Sequence, residues 1–248
     1  MNSRRIAVIA VALVAVAAVG GAALYSTFLA GDNVAGLGLD TPEPTATAAA
    51  PSASPGAPTP GPGTAVGAGD LAGTWTVASG VAGYRVRETF LQQNAETDAV
   101  GRTEGVSGTL TISGEAGNLS LAGASLTVDM TTLKSDKDGR DGQLRGRGIQ
   151  SDTFPTATFD LATRVALPAN LPEGDVTLTL PGKLTLHGIT KDVEIAAQAR
   201  LEADGTVVVA GSLPILFADY GIEAPNVAGI IAVQDHGSME FRVVFAKG

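Results

Sequence analysis

The sequence predicts that residues 70–248 fold as an all-β domain. Apolar and polar residues alternate with a period of two in many short segments of this region, which is typical of antiparallel strands with one buried face. No helical period of comparable length follows residue 70. Turn-forming residues separate the alternating segments, and we count about eight to ten strands.

The first 31 residues predict a transmembrane helix that precedes this domain. No charged residue lies between Arg5 and Asp32, an interval of 26 residues, whereas a bilayer core requires about 20 residues. Arg4 and Arg5 precede the span, so the positive-inside rule places the N-terminus in the cytoplasm and the domain outside the membrane. We expect an uncleaved anchor because Phe28 occupies the place of a small residue at the obvious cleavage site; the alternative is a cleaved signal and a secreted protein.

Residues 32–69 predict a disordered linker rich in proline, alanine and threonine. Seven of the 13 prolines in the chain lie between Pro42 and Pro62, and such a composition cannot build a packed core. A flexible coil of these 38 residues has an r.m.s. length of roughly 35 Å. It would therefore keep the domain within reach of the membrane.

Within the domain, the strand predictions follow the alternation from one segment to the next. The clearest segment is 176–187, where even positions are apolar except Gly182 and odd positions are polar except Pro181. This Pro-Gly pair predicts a bulge or an edge position. The other alternating segments are "TWTVA", "YRVRETF", "GTLTIS", "SLTVDM", "FPTATFDL", 193–202, 207–213 and 239–245.

One long stretch, from Lys134 to Pro155, interrupts the alternation. It is charged, contains few apolar residues and has four glycines, which weaken any helix within it. A connection of this length in a compact domain is usually functional or contains short helices. We therefore expect a short helical or irregular connection at this place.

The composition excludes several kinds of chemistry. The chain has no cysteine, so it has no disulfide and no thiol nucleophile, and its net charge of -9 argues against nucleic acid as a partner. Neither of the two histidines, His187 and His236, is accompanied by a recognisable nucleophile or metal-ligand motif. We expect both to be solvated at turns, and we expect no catalytic residue, no metal site and no enzymatic activity.

The alternation alone leaves two architectures open. Inward-facing residues fill the core of a β-sandwich, whereas a closed barrel of about eight strands can hold one small ligand. The domain has nine aromatic residues, and most inward candidates are Leu, Val, Ile or Ala, which leave volume in the interior. A third architecture, an outer-membrane barrel, is disfavoured because a transmembrane helix and a proline-rich tether precede the domain.

Four stretches of the domain, taken in order, carry a resemblance to a known family. They are "GTWTVASGVAGYRVRETF" (73–90), "SDKDGRDGQLRGRGIQSDTFPTATF" (135–159), "GKLTLHGITKDVEI" (182–195), and "FADYGIEAP" with "VQDHGSMEFRVVF". The matching positions are Arg140, Asp141, Leu144, Phe154, Pro155, Phe159, Gly182, Leu184, Thr185, Gly188 and Thr190. This ordered set resembles the YceI-like family of lipocalin-like, polyisoprenoid-binding proteins. The histidine that the family often has in its first strand pair is absent.

The resemblance implies a single antiparallel, lipocalin-like β-barrel of about eight strands that encloses an isoprenoid or quinone-like chain. Candidates for the cavity lining are the apolar residues with inward parity, Phe159, Leu178, Leu184, Leu186, Val193, Ile195 and Phe241. Arg140, Asp141, Leu144 and Gly188 are assigned to structural positions. We expect Arg140 and Asp141 to pair with each other and to hold the long connection across one end of the barrel.

We therefore expect a membrane-tethered, extracytoplasmic lipid-binding protein that stores, shields or transfers an apolar isoprenoid-type lipid and needs no other cofactor. Its expected partners are this lipid and, through the N-terminal helix, the membrane. The alternative is a ligand-free β module that binds other proteins of the cell envelope. A lipid that co-purifies with the protein would distinguish the two hypotheses.

Overall fold

The computed structural model describes residues 34–42, 71–92, 95–168, 174–224, 226–227 and 231–248. The predicted anchor at 1–31 and most of the predicted linker lie outside these ranges. Within the ranges, no helix is both long enough and apolar enough to cross a membrane.

The described part of the chain forms thirteen strands and one α-helix. The strands are β1 (Gly73–Phe90), β2 (Ala95–Thr103), β3 (Val106–Glu115), β4 (Asn118–Asp129), β5 (Lys134–Ser135), β6 (Thr156–Leu161), β7 (Val165–Ala166), β8 (Val176–Leu186), β9 (Ile189–Leu201), β10 (Val207–Leu216), β11 (Asn226–Val227), β12 (Ile231–Val233) and β13 (His236–Lys247). The helix α1 comprises Asp138–Gly146, and short 3₁₀ turns lie at Met130–Thr132 and Phe217–Tyr220.

Eight of these strands close into an antiparallel barrel in the order β1-β13-β10-β9-β8-β6-β4-β3. The circle is completed where β3 pairs with the first residues of β1, from Gly73 opposite Ile112 to Thr76 opposite Thr109. Closure of this kind removes the unpaired edges that an open sheet would expose. The predicted barrel of about eight strands with one short helix is confirmed, and the sandwich alternative is wrong.

The inward-facing parity of β1 changes partway along the strand. Against β13, the register shifts between Val77 and Ser79, so β1 carries one extra residue at this point. Because side chains alternate between the two faces, one extra residue moves the inward row from odd to even positions. Trp75 is fully buried before the bulge, and Tyr84 and Glu88 are buried after it. The bulge thus determines which side chains of β1 reach the interior.

No bulge is present at Pro181, where the sequence allows one. The pairing of β8 with β9 runs without a register shift from Val176 to Leu186. The carbonyl of Pro181 accepts a hydrogen bond from the N–H of Ala162 at 2.9 Å, just beyond the last residue of β6. Pro181 therefore lies within a strand that pairs with β9 on one side and meets the end of β6 on the other, rather than on an edge strand.

The two ends of the barrel differ in how they are covered. At one end, α1 reaches β1 through an Arg140–Glu88 ion pair, and the β8–β9 turn contacts the 3₁₀ turn Phe217–Tyr220. We call this the α1 end. At the opposite end, the indole N–H of Trp75 donates to the carbonyl of Leu71 at 3.0 Å, and both residues are buried.

Residues 34–42, which the sequence assigns to the disordered linker, lie on the outer face of the barrel, and we call them the strap. Leu39 is 5% exposed and packs in one cluster with Val208, Ala210 and Val244 of β10 and β13. The structure differs from the prediction here because this segment precedes the proline-rich run and carries leucines that an apolar patch on the barrel can bury. The prediction of disorder for the rest of the linker falls outside the described residues.

The strap also covers a cluster of charges on the outer face. Glu240 of β13 accepts hydrogen bonds from Arg85 Nε at 2.9 Å and from Arg102 Nη2 at 2.8 Å. The backbone N–H of Leu37 in the strap donates to the same carboxylate at 3.2 Å. Arg85 in turn donates to the carbonyl of Val34 at 2.6 Å, so the strap and the charge cluster hold each other in place.

Candidate functional site

An apolar cavity of about 330 Å³ occupies the interior of the barrel. Side chains from all eight barrel strands and from α1 line it, and most of them are Leu, Val, Ile, Ala, Met or Phe. The volume lies in the range of roughly 300–1,000 Å³ that is usual for small-molecule sites. Because many inward positions carry alanine or valine rather than aromatic residues, the closed barrel is not filled by its own side chains.

The structure places six of the seven predicted lining residues on the cavity wall. They are Phe159, Leu178, Leu184, Leu186, Ile195 and Phe241. Val193 is half-buried against the core but does not line the cavity. It pairs with Gly182, and the ring of Phe159 lies over that glycine and occupies the inner surface beside it. Contact between any of these residues and a ligand stays a prediction.

Gly182 is necessary for this arrangement. It occupies an inward position in β8, where a Cβ atom would lie only 2.3 Å from Cε2 of Phe159. Any larger residue would displace the aromatic ring towards the cavity, and glycine is the residue that permits such a close approach.

Four polar residues interrupt the apolar wall at the α1 end. Tyr84 and Glu88 reach the cavity from β1, and Arg140 and Gln143 reach it from α1. The bulge in β1 is what turns Tyr84 and Glu88 inwards, since the odd-numbered row that contains Trp75 would otherwise face the interior. Thr158, Arg200 and Glu240 also border the cavity, so polar residues are not confined to this end.

Tyr84 and Glu88 are not among the site residues that the sequence predicts. A signal for them was present, because Trp75 and Val77 indicate an odd inward row, whereas Tyr84 and Val86 indicate an even one. A change of parity within one strand indicates a bulge.

An ion pair between Glu88 and Arg140 joins β1 to α1 at this end. Arg140 Nη2 lies 3.1 Å from Glu88 Oε2, and Arg140 also forms an ion pair with Asp136. Burial raises the pKa of the Glu88 carboxyl, and the charge and hydrogen bond of Arg140 lower it only in part. The carboxylate is therefore incompletely compensated by its surroundings.

The predicted pairing of Arg140 with Asp141 is wrong. Asp141 instead accepts hydrogen bonds from the backbone N–H of Ser135 at 2.9 Å and from its hydroxyl at 2.7 Å. Neighbouring residues on a helix point about 100° apart, so the two side chains reach different partners. Arg140 still connects the long connection to the barrel, but through Glu88 of β1. Leu144 packs against the core and lines the cavity.

The hydroxyl of Tyr84 is fully buried and has no hydrogen-bond partner among the described residues. The residue is 9% exposed, and its ring lies directly against Gly101 of β2. Burial raises the pKa of the phenol, so it is protonated and can donate. A buried donor without an acceptor costs free energy, which is why each such group in a folded protein requires an explanation.

His187 lies in the β8–β9 turn, as predicted, but it is half-buried rather than fully solvated. Its Nδ1 lies 2.9 Å from the carbonyl oxygen of Tyr220, and its ring centroid lies 4.3 Å from that of Phe154. His187 and Gly188 have φ angles of 52° and 73°, which is typical of a type I′ turn, and a Cβ on Gly188 would lie 2.8 Å from the Phe154 ring. The prediction fails because two connections at the α1 end pack onto this hairpin.

Neither histidine lines the cavity. His236 is exposed at the start of β13 and lies 2.7 Å from Asp235. In the described ranges, no group of three or more His, Cys, Asp or Glu side chains could hold a metal ion. That the protein has no catalytic residue stays an expectation from the sequence.

Comparison with known proteins gives a match over most of the barrel. A family model described as the YceI-like domain matches residues 77–245. The UPF0312 protein VVA0736 of Vibrio vulnificus is 38% identical over 82 residues, which is 33% of this chain and 40% of that protein. The chain therefore spans less than half the length of this curated relative.

One solved structure shows the same fold, and a second is similar over most of its length. A polyisoprenoid-binding domain from Saccharophagus degradans, implicated in plant cell wall breakdown, superposes with a TM-score of 0.51 at 18% identity and covers 69% of this chain and 99% of that domain. BcnA of Burkholderia cenocepacia gives a TM-score of 0.46 at 22% identity over 65% of this chain and 95% of its own. Because the sequence identity is only 18%, the likeness to the Saccharophagus degradans domain shows the fold alone.

Proposed function

The chain belongs to the YceI-like domain family, and from this premise we propose that its barrel binds the apolar chain of an isoprenoid or quinone-like lipid. The observation that carries the proposal is the cavity of about 330 Å³ within a closed barrel, lined mostly by aliphatic side chains. The protein acts as a binding module that stores, shields or transfers the lipid. The solved relative that is described as polyisoprenoid-binding supports this ligand class.

The physical basis of recognition is burial of apolar surface. An isoprenoid tail has almost no polar groups, so its affinity comes from the area removed from water, at roughly 25 cal/mol per Å². A closed barrel supplies such burial on all sides of the chain, whereas a surface groove supplies it on one side. The lack of a dense aromatic core is then a requirement of function, because the interior must leave space.

A matched pair of tryptophan variants tests the proposal. Leu178 points into the cavity, and Thr179, its neighbour on β8, is exposed on the outer face. Leu178→Trp should reduce the lipid that co-purifies with the protein at least tenfold, because the indole occupies ligand volume. Thr179→Trp should leave the lipid content unchanged. Mass spectrometry of lipids extracted from the purified proteins provides the measurement.

Two results would contradict the proposal. In a filled, ligand-free module, Leu178→Trp would overfill a packed core and cost about 1–3 kcal/mol of stability. The wild-type protein would then also carry no lipid. A roomy cavity predicts instead that the variant loses lipid but changes the stability of the lipid-free protein by less than about 1 kcal/mol.

We further propose that residues 1–31 anchor the barrel in the membrane and that the barrel lies on the extracytoplasmic side. The uncharged span between Arg5 and Asp32 supports the anchor. Since the strap at 34–42 lies on the barrel, only residues 32 and 33 separate it from the anchor, and the barrel is held close to the bilayer. Sequencing of the mature N-terminus tests this: a protein that begins beyond Ala30 would contradict the anchor.

A further inference from the structure

We infer that the α1 end of the barrel docks on the surface of the lipid bilayer through its exposed apolar side chains. The inference rests on the membrane anchor proposed above, and it adds which surface of the barrel contacts the membrane. The contact is with the boundary between head groups and acyl chains, where apolar side chains of membrane-bound proteins are buried.

The exposed large hydrophobic residues are unevenly distributed over the barrel. In the described part of the chain they are Val34, Leu91, Ile189 and Leu216. Leu91 directly follows β1 and Leu216 ends β10, and they are 53% and 55% exposed. Ile189 begins β9, directly after the β8–β9 turn. Single exposed apolar residues are common on protein surfaces, so it is their shared position that requires an explanation.

The contacts of their neighbours place these residues at the α1 end. Leu216 pairs with His236 at the start of β13 and precedes the 3₁₀ turn that contacts the β8–β9 turn. Leu91 lies three residues beyond Glu88, the partner of Arg140 in α1. At the opposite end, the described turns 115–118 and 202–206 have no large exposed hydrophobic residue.

The strap also begins at the α1 end. Val34 lines a small surface pocket together with residues 134–136, which lie just before α1, and its carbonyl accepts from Arg85 at 2.6 Å. The strap then runs towards the opposite end, where Asp40 forms an ion pair with Arg200 at 2.8 Å. The chain therefore approaches the barrel from the side of α1.

The short tether converts this position into an orientation. The proposed anchor ends at residue 31, and the three residue steps to Val34 span at most roughly 10 Å at ~3.5 Å per step. The eleven residues of β8 alone extend over about 36 Å at ~3.3 Å per residue. The anchor can thus bring the α1 end to the bilayer, whereas the opposite end lies beyond its reach.

The exposed apolar residues also adjoin the cavity. Ile215 and Phe217 line the cavity, and Leu216 between them is exposed. The same strand end therefore borders both the ligand space and the proposed bilayer contact. Electrostatic attraction to anionic lipid does not explain the contact, because the chain carries a net charge of -9 and Lys191 beside Ile189 pairs with Asp219 at 3.6 Å.

Site-specific labelling of the full-length chain in phosphatidylcholine vesicles tests the inference. The chain has no cysteine, so one introduced cysteine carries a fluorophore at a single site. Nitroxide-bearing lipids then quench the labels that enter the bilayer. Because docked side chains lie ~5–10 Å deep, the label at Ile189→Cys should be quenched at least about threefold more than the label at Ala203→Cys, which is exposed in a turn of the opposite end.

Acidic variants test whether the leucines make the contact. Leu91→Asp combined with Leu216→Asp should lower quenching of the Ile189→Cys label about threefold, since a carboxylate resists transfer into an apolar environment. The matched control, Ala116→Asp with Ala203→Asp at the opposite end, should leave it unchanged. Both leucines are more than half exposed, so the fold should be retained, and thermal unfolding checks this. Added phosphatidylglycerol should not increase the quenching.

A label at Ala17→Cys, within the proposed anchor, separates the two levels of the account. If this label is quenched but those at Ile189→Cys and Ala203→Cys are quenched equally, the orientation is overturned and the anchor stands. If the label at Ala17→Cys is not quenched, the anchor fails and the inference fails with it. Unchanged quenching in the acidic leucine variant, or quenching that requires phosphatidylglycerol, would overturn the apolar contact.

Discussion

Two buried carboxylates on opposite faces of the barrel wall show how differently the protein treats its interior and its exterior. Glu88 faces the cavity and Glu240 faces the strap, and each is 7% exposed. Two guanidinium groups, Arg85 and Arg102, and the Leu37 backbone N–H donate to Glu240, and together they lower its pKa below the ordinary value against the effect of burial. Burial instead raises the pKa of Glu88, since the opposing effect of Arg140 is smaller.

The difference separates a charge that the fold fully compensates from one that it does not. On the outer face, the donors around Glu240 come from three separate segments of the chain, so the carboxylate ties the strap to β1 and β2. On the inner face, Glu88 pairs with Arg140 but burial still raises the pKa of its carboxyl, and the buried hydroxyl of Tyr84 has no partner among the described residues. Incomplete satisfaction of polar groups in a cavity is typical of a site that a ligand completes.

The largest effect is expected from neutralising each carboxylate in turn. Glu240→Gln should cost about 3 kcal/mol of unfolding free energy, because two arginines lose a buried partner. Glu88→Gln should cost about 1 kcal/mol or less, because it also removes an incompletely compensated charge and Arg140 keeps Asp136. Urea unfolding of both variants provides the comparison. A cost for Glu88→Gln that equals or exceeds that of Glu240→Gln would show that the inner pair is structural as well.

A smaller effect is expected at His187. It tests whether a buried polar atom without a hydrogen-bond partner is enough to indicate a ligand site. Within the described part of the chain, the Nε2 atom of His187 is buried without a partner, as is the Tyr84 hydroxyl, but His187 does not line the cavity. His187→Ala should cost about 1 kcal/mol, because it loses a hydrogen bond and places alanine at a positive φ. The lipid content should not change. Loss of bound lipid in this variant would show that the α1 end, rather than the cavity wall alone, controls binding.

The smallest effect is the dependence of stability on pH, which has opposite signs for the two carboxylates. The pKa of Glu240 is lowered from 4.5, so its stabilisation is present above pH 4.5 and is lost as the pH falls below it. The pKa of Glu88 is raised from 4.5, so wild type loses stability relative to Glu88→Gln as the pH rises from 4.5 through the folded-state pKa. Unfolding free energies of wild type and both Gln variants between pH 3 and pH 7 measure the two slopes. Slopes of the same sign would refute the distinction.

The regular part of the fold could be predicted from the sequence because alternation records burial directly. In β8, every second residue from Val176 to Leu186 is buried, and the inward set is visible without any structure. The bulge in β1 was harder to predict from the sequence. It depends on the register of β1 against β13, and its only sign in the sequence is a change of parity in the apolar positions. Tyr84 and Glu88 were missed for that reason.

Other features required three-dimensional contacts that composition does not encode. The partner of Arg140 is Glu88, 52 residues away along the chain, and not the adjacent Asp141. The strap was assigned to the linker because it adjoins the proline-rich run, although Leu39 finds an apolar patch on β10 and β13. His187 is covered by the Phe154 ring and by the Tyr220 carbonyl, which come from distant segments. Each of these contacts follows from how the barrel brings its connections together at the outer surface or at the α1 end.

The most direct test of the central claim is a crystal structure of the full-length chain with a benzoquinone that carries a farnesyl tail. We expect continuous density for the tail along the inner wall that includes Leu178 and Phe241. Side chains that collapse into the interior at saturating quinone, with no density for the tail, would contradict the claim that this barrel holds a lipid.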